Sequence, residues 1–241
     1  MKNVIIITGA GRRIGLALAQ TFAMRGENLL ISYRQHYPEV DQLPANVSKV
    51  YADFSTLEGI EAFIQQVKSQ CQSLRAIIHN ASDWQAEQEN STLQQDHQLF
   101  QQMLHIHAEL PYLLNRHLVE LLQNYAQETQ RPADILHLTD FVALKGSQKH
   151  LAYAASKAAL ENLTLSFAAK YAPLIKVNTI APVLIAFHDH DAEEYRKKAI
   201  QKSVMQKVGG YTEIVKAVDY LLSSEYITGE TLQITGGRHL K

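Results

Sequence analysis

The sequence predicts a single α/β domain built on a doubly wound, mostly parallel sheet. Three observations carry this. Short runs rich in Val, Ile and Leu recur along the chain, and runs apolar on both faces are buried parallel strands. Helix-favouring segments separate them, the alternation that makes crossover units. The first run ends in a glycine-rich turn that opens a helix. With 241 residues, 46% of them hydrophobic and 20% charged, the chain suits one domain with a sizeable core. A net charge of −1 gives no electrostatic case for nucleic acid or an anionic membrane. The lone cysteine, Cys71, excludes an intrachain disulfide and fits a reducing compartment. No window holds the roughly 18 apolar residues of a membrane span, and the first apolar run is too short for a signal peptide. A cytoplasmic protein is the expectation.

Taken in order, residues 3–7 read as the first strand. Thr8-Gly9-Ala10-Gly11-Arg12-Arg13-Ile14-Gly15 follows, then a helix ending near Gly26. Strand, glycine turn and helix are the setting of a dinucleotide-binding turn. Small residues let backbone approach a pyrophosphate, and the helix start offers amides and a positive dipole end. The strict G-x-G-x-x-G is not met, because the third glycine is Gly15 rather than residue 14. The second strand, 28–33, runs into Ser32-Tyr33-Arg34 with no acid before Glu39. An NAD site would place an acid there for the ribose 2′-hydroxyl; Arg34 suits a 2′-phosphate, so NADP is expected.

Residues 35–47 read as loop, with Pro38, Pro44 and Asn46. A third strand, 49–52, leads into Asp53-Phe54, with Ser55 or Thr56 to cap a helix over 57–69. Asp53 sits where open α/β sheets bind ligands; its alternative role is a capping group. The fourth strand, 75–79, runs into Asn80-Ala81-Ser82-Asp83-Trp84. Asn80 is placed to bond backbone across strands, and Ser82 to reach a cofactor phosphate. Trp84 is either a core plug or a flat surface for a planar ligand. Residues 92 to about 125 read as helix, with Pro111 expected to kink or split it. His105 and His107, two apart, face different sides, and no Cys/His cluster exists elsewhere, so no metal is expected.

The fifth strand, 134–138, ends in Thr139-Asp140, and a loop over 145–150 leads to a helix over 153–171. Tyr153 and Lys157 lie four apart and share a face. The ammonium is expected to lower the phenol's pKa and make it a usable proton donor or acceptor. A strand over 174–180 ends in Ala181-Pro182. The polar, charged segment 185–205 reads as a substrate lid or a surface helix. A helix over 212–223 and a strand over 231–234 finish the domain before Gly236-Gly237-Arg238-His239.

Together, Thr8-Gly9…Gly15, Asp53, Asn80-Ala81-Ser82, Tyr153-x-x-x-Lys157, Asn178…Pro182 and Gly236-Gly237 resemble the short-chain dehydrogenase/reductases over essentially the whole chain. The resemblance implies a Rossmann-type NADP-binding domain. Gly9, Gly11, Arg12, Arg13, Ile14, Ser32, Tyr33, Arg34, Asp53, Phe54, Asn80, Ala81, Ser82, Tyr153, Lys157 and Pro182 would hold the cofactor. Tyr153 and Lys157 would be catalytic, and the subunits would pair as a homotetramer through helices near 93–125 and 151–171. Three positions depart from the family's pattern: Arg13 replaces a glycine, Asp140 replaces the serine thirteen residues before the tyrosine, and His107 occupies the place of an asparagine. The first two are similar to the pteridine reductase branch, where an aromatic after the Asn-Ala-Ser turn stacks on the pterin. That implies a pterin substrate held by Arg13, Ser82, Trp84, Asp140 and Tyr153, with Asp140 catalytic. The chemistry agrees: a pterin edge is rich in donors, which a carboxylate accepts, whereas a developing alkoxide wants a neutral hydroxyl and is repelled by Asp140. The alternatives are a carbonyl reductase of a non-pterin substrate and a non-catalytic NADP-binding regulator.

Overall fold

A computed structural model describes Met1–Lys241. The seven strands are β1 (Val4–Ile7), β2 (Leu29–Tyr33), β3 (Val47–Tyr51), β4 (Leu74–His79), β5 (Ala133–Leu138), β6 (Ile175–Pro182) and β7 (Thr231–Ile234). Between them lie α1 (Arg13–Met24), α2 (Pro38–Asp41), α3 (Leu57–Gln70), α4 (Leu93–Leu104), α5 (Leu110–His117), α6 (Val119–Thr129), α7 (Val142–Lys145), α8 (Leu151–Tyr171), α9 (Glu193–Gln201) and α10 (Tyr211–Ser223). All seven strands pair in parallel, in the order β3-β2-β1-β4-β5-β6-β7. The sheet is therefore wound outward from β1 in one direction and from β4 in the other, and the crevice where such a sheet binds ligands opens between these two strands.

Strand alternation explains the two cores. Val4 and Ile6 of β1 point to one face, into a core with Phe63 of α3, Leu114 of α5 and Phe167 of α8. Ile5 and Ile7 point to the other, against Leu18 and Phe22 of α1 and Val218 and Leu221 of α10. A strand buried on both faces must be apolar throughout, which is why no polar alternation marks β1 in the sequence. No helix is long and apolar enough to cross a membrane.

The expected elements are all present, with shifted edges. β3 starts at Val47, and α8 at Leu151 rather than Tyr153. Thr56, not Ser55, caps α3: its Oγ1 accepts from Gly59 N–H at 3.1 Å. Two four-residue helices, α2 and α7, fall in regions expected as loop or strand end. The kink expected at Pro111 is a π-turn one step earlier, over His105–Glu109. Proline has no N–H to give the carbonyl four residues back, and the ladder slips so that Leu110 N–H reaches the His105 carbonyl.

Candidate active site

The carboxyl ends of β1, β4, β5 and β6 surround one large cleft with a cavity volume of about 1130 Å³. Its wall at β1 is held by polar bonds between strands. Asn80 Nδ2 donates to the carbonyls of Thr8 and Gly9 at 3.0 and 2.9 Å. Thr8 Oγ1 accepts from the N–H groups of Asn80 and Ala81, both at 3.0 Å. Gly9 N–H donates to Ser32 Oγ at 3.0 Å, tying the turn to β2. Glycine is required here on two counts. Gly9 has φ +65°, and a Cβ on it would lie 2.7 Å from Ala81 Cα. A Cβ on Gly15 would lie 2.5 Å from Asn80 Nδ2. Arg13, where the family has glycine, also takes a left-handed backbone, at φ +54°.

Helix α1 starts with no side-chain cap and no acid in its first turn. Its free amides and dipole face the glycine turn, the arrangement that receives an anion. Arg12 and Arg34 line the same end of the cleft, and Ser32 and Tyr33 complete it. Arg34 has only a long contact to Asp83, 3.8 Å, and is largely exposed. This donor set fits a dinucleotide that carries an extra phosphate.

At the other end, Tyr153 Oη donates to Asp140 Oδ2 at 3.2 Å, and Asp140 Oδ1 accepts from Val142 N–H at 2.9 Å. Lys157 is fully buried; its Nζ donates to the Leu138 carbonyl at 2.9 Å and stands 5.6 Å from the Tyr153 ring centre. Burial brings Lys157 down to about 8, against the pull of Asp140. Burial raises the Asp140 carboxyl, opposed by the Val142 amide and the Lys157 charge. The Tyr153 phenol is not acidified, contrary to expectation. Burial first, and then the Asp140 charge and hydrogen bond, push the phenol well above its usual range. The reason is geometric: Asp140 touches the hydroxyl, while the ammonium is turned to a carbonyl beyond the ring.

Trp84 is no core plug. It is 58% exposed and lines the cleft, with its only ring neighbour, His150, edge-on at 5.0 Å. Gly9, Gly11, Arg12, Arg13, Ile14, Phe54, Ala81, Ser82 and Pro182 line the cleft as well. Asp53 does not; its carboxylate turns back to accept from Ser55 N–H at 3.0 Å, ahead of the Thr56 cap and not on an amide of α3, and the Ser55 amide holds it below the usual carboxylate range.

Two residues that sequence reasoning did not place, Glu87 and His188, belong to this neighbourhood, as does His107, singled out in the sequence only as a departure from the family's asparagine. Glu87 accepts from Leu151 and Ala152 N–H, at 3.0 and 2.7 Å, and so caps the helix that carries Tyr153. The only hint in sequence is that residue 150, a histidine, is no capping type. His188, from the segment after β6, lies 2.9 Å from Arg13 Nη1, and Arg13 Nη2 donates to the Ala186 carbonyl at 3.3 Å. The segment 185–205 thus leans on the glycine turn, with α9 as its helical part. His107 is buried under Ser82 and Ser156.

Comparison with known proteins agrees with this geometry. A family model described as enoyl-(acyl carrier protein) reductase matches residues 9–239. Dihydromonapterin reductase from Escherichia coli O6:K15:H31 is 49% identical over 238 residues, covering 98% of this chain and 97% of that one. Dihydromonapterin reductase from Enterobacter sp. strain 638 is 51% identical over 240 residues, covering 99% and 98%. Among solved structures, alternative dihydrofolate reductase 1 (FolM) from Brucella canis, complexed with NADP, superposes with a TM-score of 0.86 at 24% identity, covering 99% of this chain and 94% of that one. The RhlG/NADP complex from Pseudomonas aeruginosa does so at 0.87 and 22%, covering 98% and 96%. At such identities the superpositions speak to the fold alone.

Proposed function

The chain belongs to the short-chain dehydrogenase/reductase family of oxidoreductases, and from that premise we propose that it reduces a dihydropterin, 7,8-dihydromonapterin foremost and dihydrofolate more weakly, to the tetrahydro form with NADPH. The observation that carries this is the carboxylate of Asp140 bonded to Tyr153 Oη, beside an exposed Trp84, where a carbonyl reductase needs a neutral hydroxyl. Reduction of a ketone passes through a developing alkoxide, which a carboxylate repels. Reduction of a ring C=N gives an amine nitrogen, and the rest of a pterin edge offers N–H donors that Asp140 accepts. The near-full-length likeness to dihydromonapterin reductases supports the same substrate.

Bound NADPH would supply the hydride, to ring carbon C6. The chain's own residues bind and orient. Arg12, Arg34 and the open start of α1 favour the phosphates, and the missing acid after β2 favours the 2′-phosphate over a free hydroxyl. Trp84 offers a flat face to the pterin. Asp140, Ser82 and Arg13 hold its polar edge, and Tyr153 keeps a proton at Oη beside it. Lys157, bonded to the Leu138 carbonyl, keeps a positive charge under the site. The segment 185–205 acts as a lid, a reading supported by the Arg13–His188 contact. Exposed apolar groups on α4, α5 and α8, among them Phe100, Tyr112 and Leu165, support the family's homotetramer. A purely regulatory NADP binder has no use for the Tyr153–Lys157 pair.

The test is NADPH consumption by the purified protein on adding dihydromonapterin, with dihydrofolate, NADH and a panel of ketones alongside. Turnover with the pterin and NADPH is expected. Turnover confined to ketones, or affinity for NADPH with no turnover at all, overturns the proposal.

A further inference from the structure

His107 is an interior histidine set behind the wall of the cleft, which its neighbours Ile106 and Ala108 line. The π-turn forced by Pro111 widens the backbone there and directs the ring inward. Nε2 lies 2.8 Å from Ser82 Oγ, and Nδ1 lies 2.8 Å from Ser156 Oγ. The ring also meets the Tyr153 ring edge-on, centroids 5.3 Å apart. One histidine thus touches the turn after β4, the catalytic helix and the catalytic phenol.

Proton counting and bond lengths together give the direction of these bonds. Ser156 has one hydroxyl proton, and it donates it to the Tyr153 carbonyl at 2.8 Å. With that proton committed, Ser156 Oγ accepts from His107, which puts the imidazole proton on Nδ1; the Met103 carbonyl is a further acceptor for the ring. A neutral ring then has a lone pair on Nε2, and Ser82 donates to it at 2.8 Å in preference to the Asp83 carbonyl, its other acceptor, which lies at 3.4 Å. The ring is neutral because burial, with the Lys157 charge adding, brings it down to about 2. Ser82, its proton committed, presents lone pairs to the cleft it lines.

We propose that His107 is a positioning residue that fixes the Ser82 hydroxyl as a hydrogen-bond acceptor toward the cleft, so that Ser82 and Asp140 together select a ligand edge that donates. The substrate half of this rests on the pterin reading: the donors are the exocyclic amine and ring N–H of a 2-amino-4-oxopterin. The opposite arrangement is well defined. The Asp83 carbonyl also approaches the ring and lies 3.4 Å from Ser82 Oγ. An Nε2–H tautomer would serve these acceptors and leave Ser82 free to donate.

The tautomer is read directly from two-bond proton–nitrogen spectra of the full chain labelled with [15N]histidine, without ligand. Ser82→Ala and Ser156→Ala identify the His107 signals by perturbing them, so no folded His107 variant is required. An Nδ1–H tautomer that stays neutral on mild acidification is expected. An Nε2–H tautomer, or an imidazolium, overturns the proposal. In kinetics, His107→Phe and Ser82→Ala should each raise the KM for dihydromonapterin about tenfold or more, the double variant no more than Ser82→Ala alone. His107→Gln, whose amide oxygen still accepts from Ser82, should recover most of the loss, and the Kd for NADPH should stay within about twofold for both His107 variants. Additive effects, no rescue, or NADPH affinity lost in parallel refute it. A wild type that never reduces pterins defeats the functional reading instead, while the spectrum still decides the hydrogen bonds.

Discussion

Replacing Trp84 with alanine separates recognition from stability. The indole is 58% exposed and its one ring contact is the edge of His150. Its removal opens no cavity in the core, so unfolding free energy should change by no more than about 0.5 kcal/mol, as for other surface positions. Binding is another matter. A planar bicycle stacked on an aromatic side chain is worth about 1–3 kcal/mol by alanine substitution. At about 1.4 kcal/mol per decade, that is roughly a 5- to 150-fold rise in the KM for dihydromonapterin. Trp84→Phe should recover most of it. NADPH affinity should be untouched, because the indole carries none of the phosphate-binding groups and its one ring contact is His150. This is the only tryptophan in the chain, so its fluorescence in the wild type reports pterin binding without labelling, and saturable quenching is expected. The reasoning is refuted if Trp84→Ala leaves the KM alone, if it lowers the unfolding midpoint substantially, or if the fluorescence ignores the pterin.

Three further outcomes follow. Asp140→Ser removes the acceptor that holds Tyr153 Oη; losing one charged hydrogen bond costs about 1.5–3 kcal/mol, so pterin turnover should fall roughly 10- to 150-fold while ketone reduction appears, both read as NADPH consumption. Gly15→Ala would set a Cβ against Asn80 Nδ2 and the backbone of Gly9 and Ala10; overpacking of about 3 kcal/mol should lower the calorimetric midpoint by roughly 6–12 °C and weaken NADPH binding. The third concerns acid. Burial holds His79 neutral down to about 4 and His107 down to about 2, and it depresses His137 as well. Between each folded value and the ordinary 6.5 the unfolded chain binds the extra proton, so stability falls as pH falls through that window. His79 and His107 should each cost about 2 kcal/mol by pH 5, and His137 adds in the same direction. Asp134, raised by burial to about 6, holds a proton the unfolded chain has released and returns about 1 kcal/mol. A net loss of at least about 3 kcal/mol between pH 7 and 5, read from urea midpoints, is expected; a flat profile would contradict the neutral-histidine core.

What could be read from sequence depended on whether a local pattern or a distant contact decided it. Strands such as β1, apolar on both faces and closed by Thr8-Gly9, mark themselves, and so the parallel sheet was legible. Tyr153 and Lys157 were legible because a helix puts residues four apart on one face. The phenol's acidity was not, since it depends on where Lys157 points, and the Leu138 carbonyl that holds it is a tertiary partner. The start of α8 was misplaced for a similar reason: its cap is Glu87, 64 residues upstream of Leu151. Four-residue helices such as α2 have no period to detect. Pro111 announced an irregularity, but not that it would be a π-turn on its N-terminal side that turns His107 inward.

The segment after β4 shows how an irregular stretch comes to act as rigid structure. From Asn80 to Glu89 it has no helix or strand, yet both ends are fastened to α8. Ser82 reaches Ser156 through His107, and Glu87 takes the first free amides of the helix, which otherwise has no cap. Trp84 lies between these anchors, against His150 at the helix entrance. A large apolar side chain left in a cleft forgoes burial that the fold would otherwise gain, and such exposure is informative when the backbone around it is held. The platform and the phenol are in effect one body, so a flat ring laid on Trp84 meets Tyr153 and Asp140 without the segment having to order first. That economy suits a rigid planar substrate. A flexible acyl chain would need a mobile wall, and on this side of the cleft the wall is tied down.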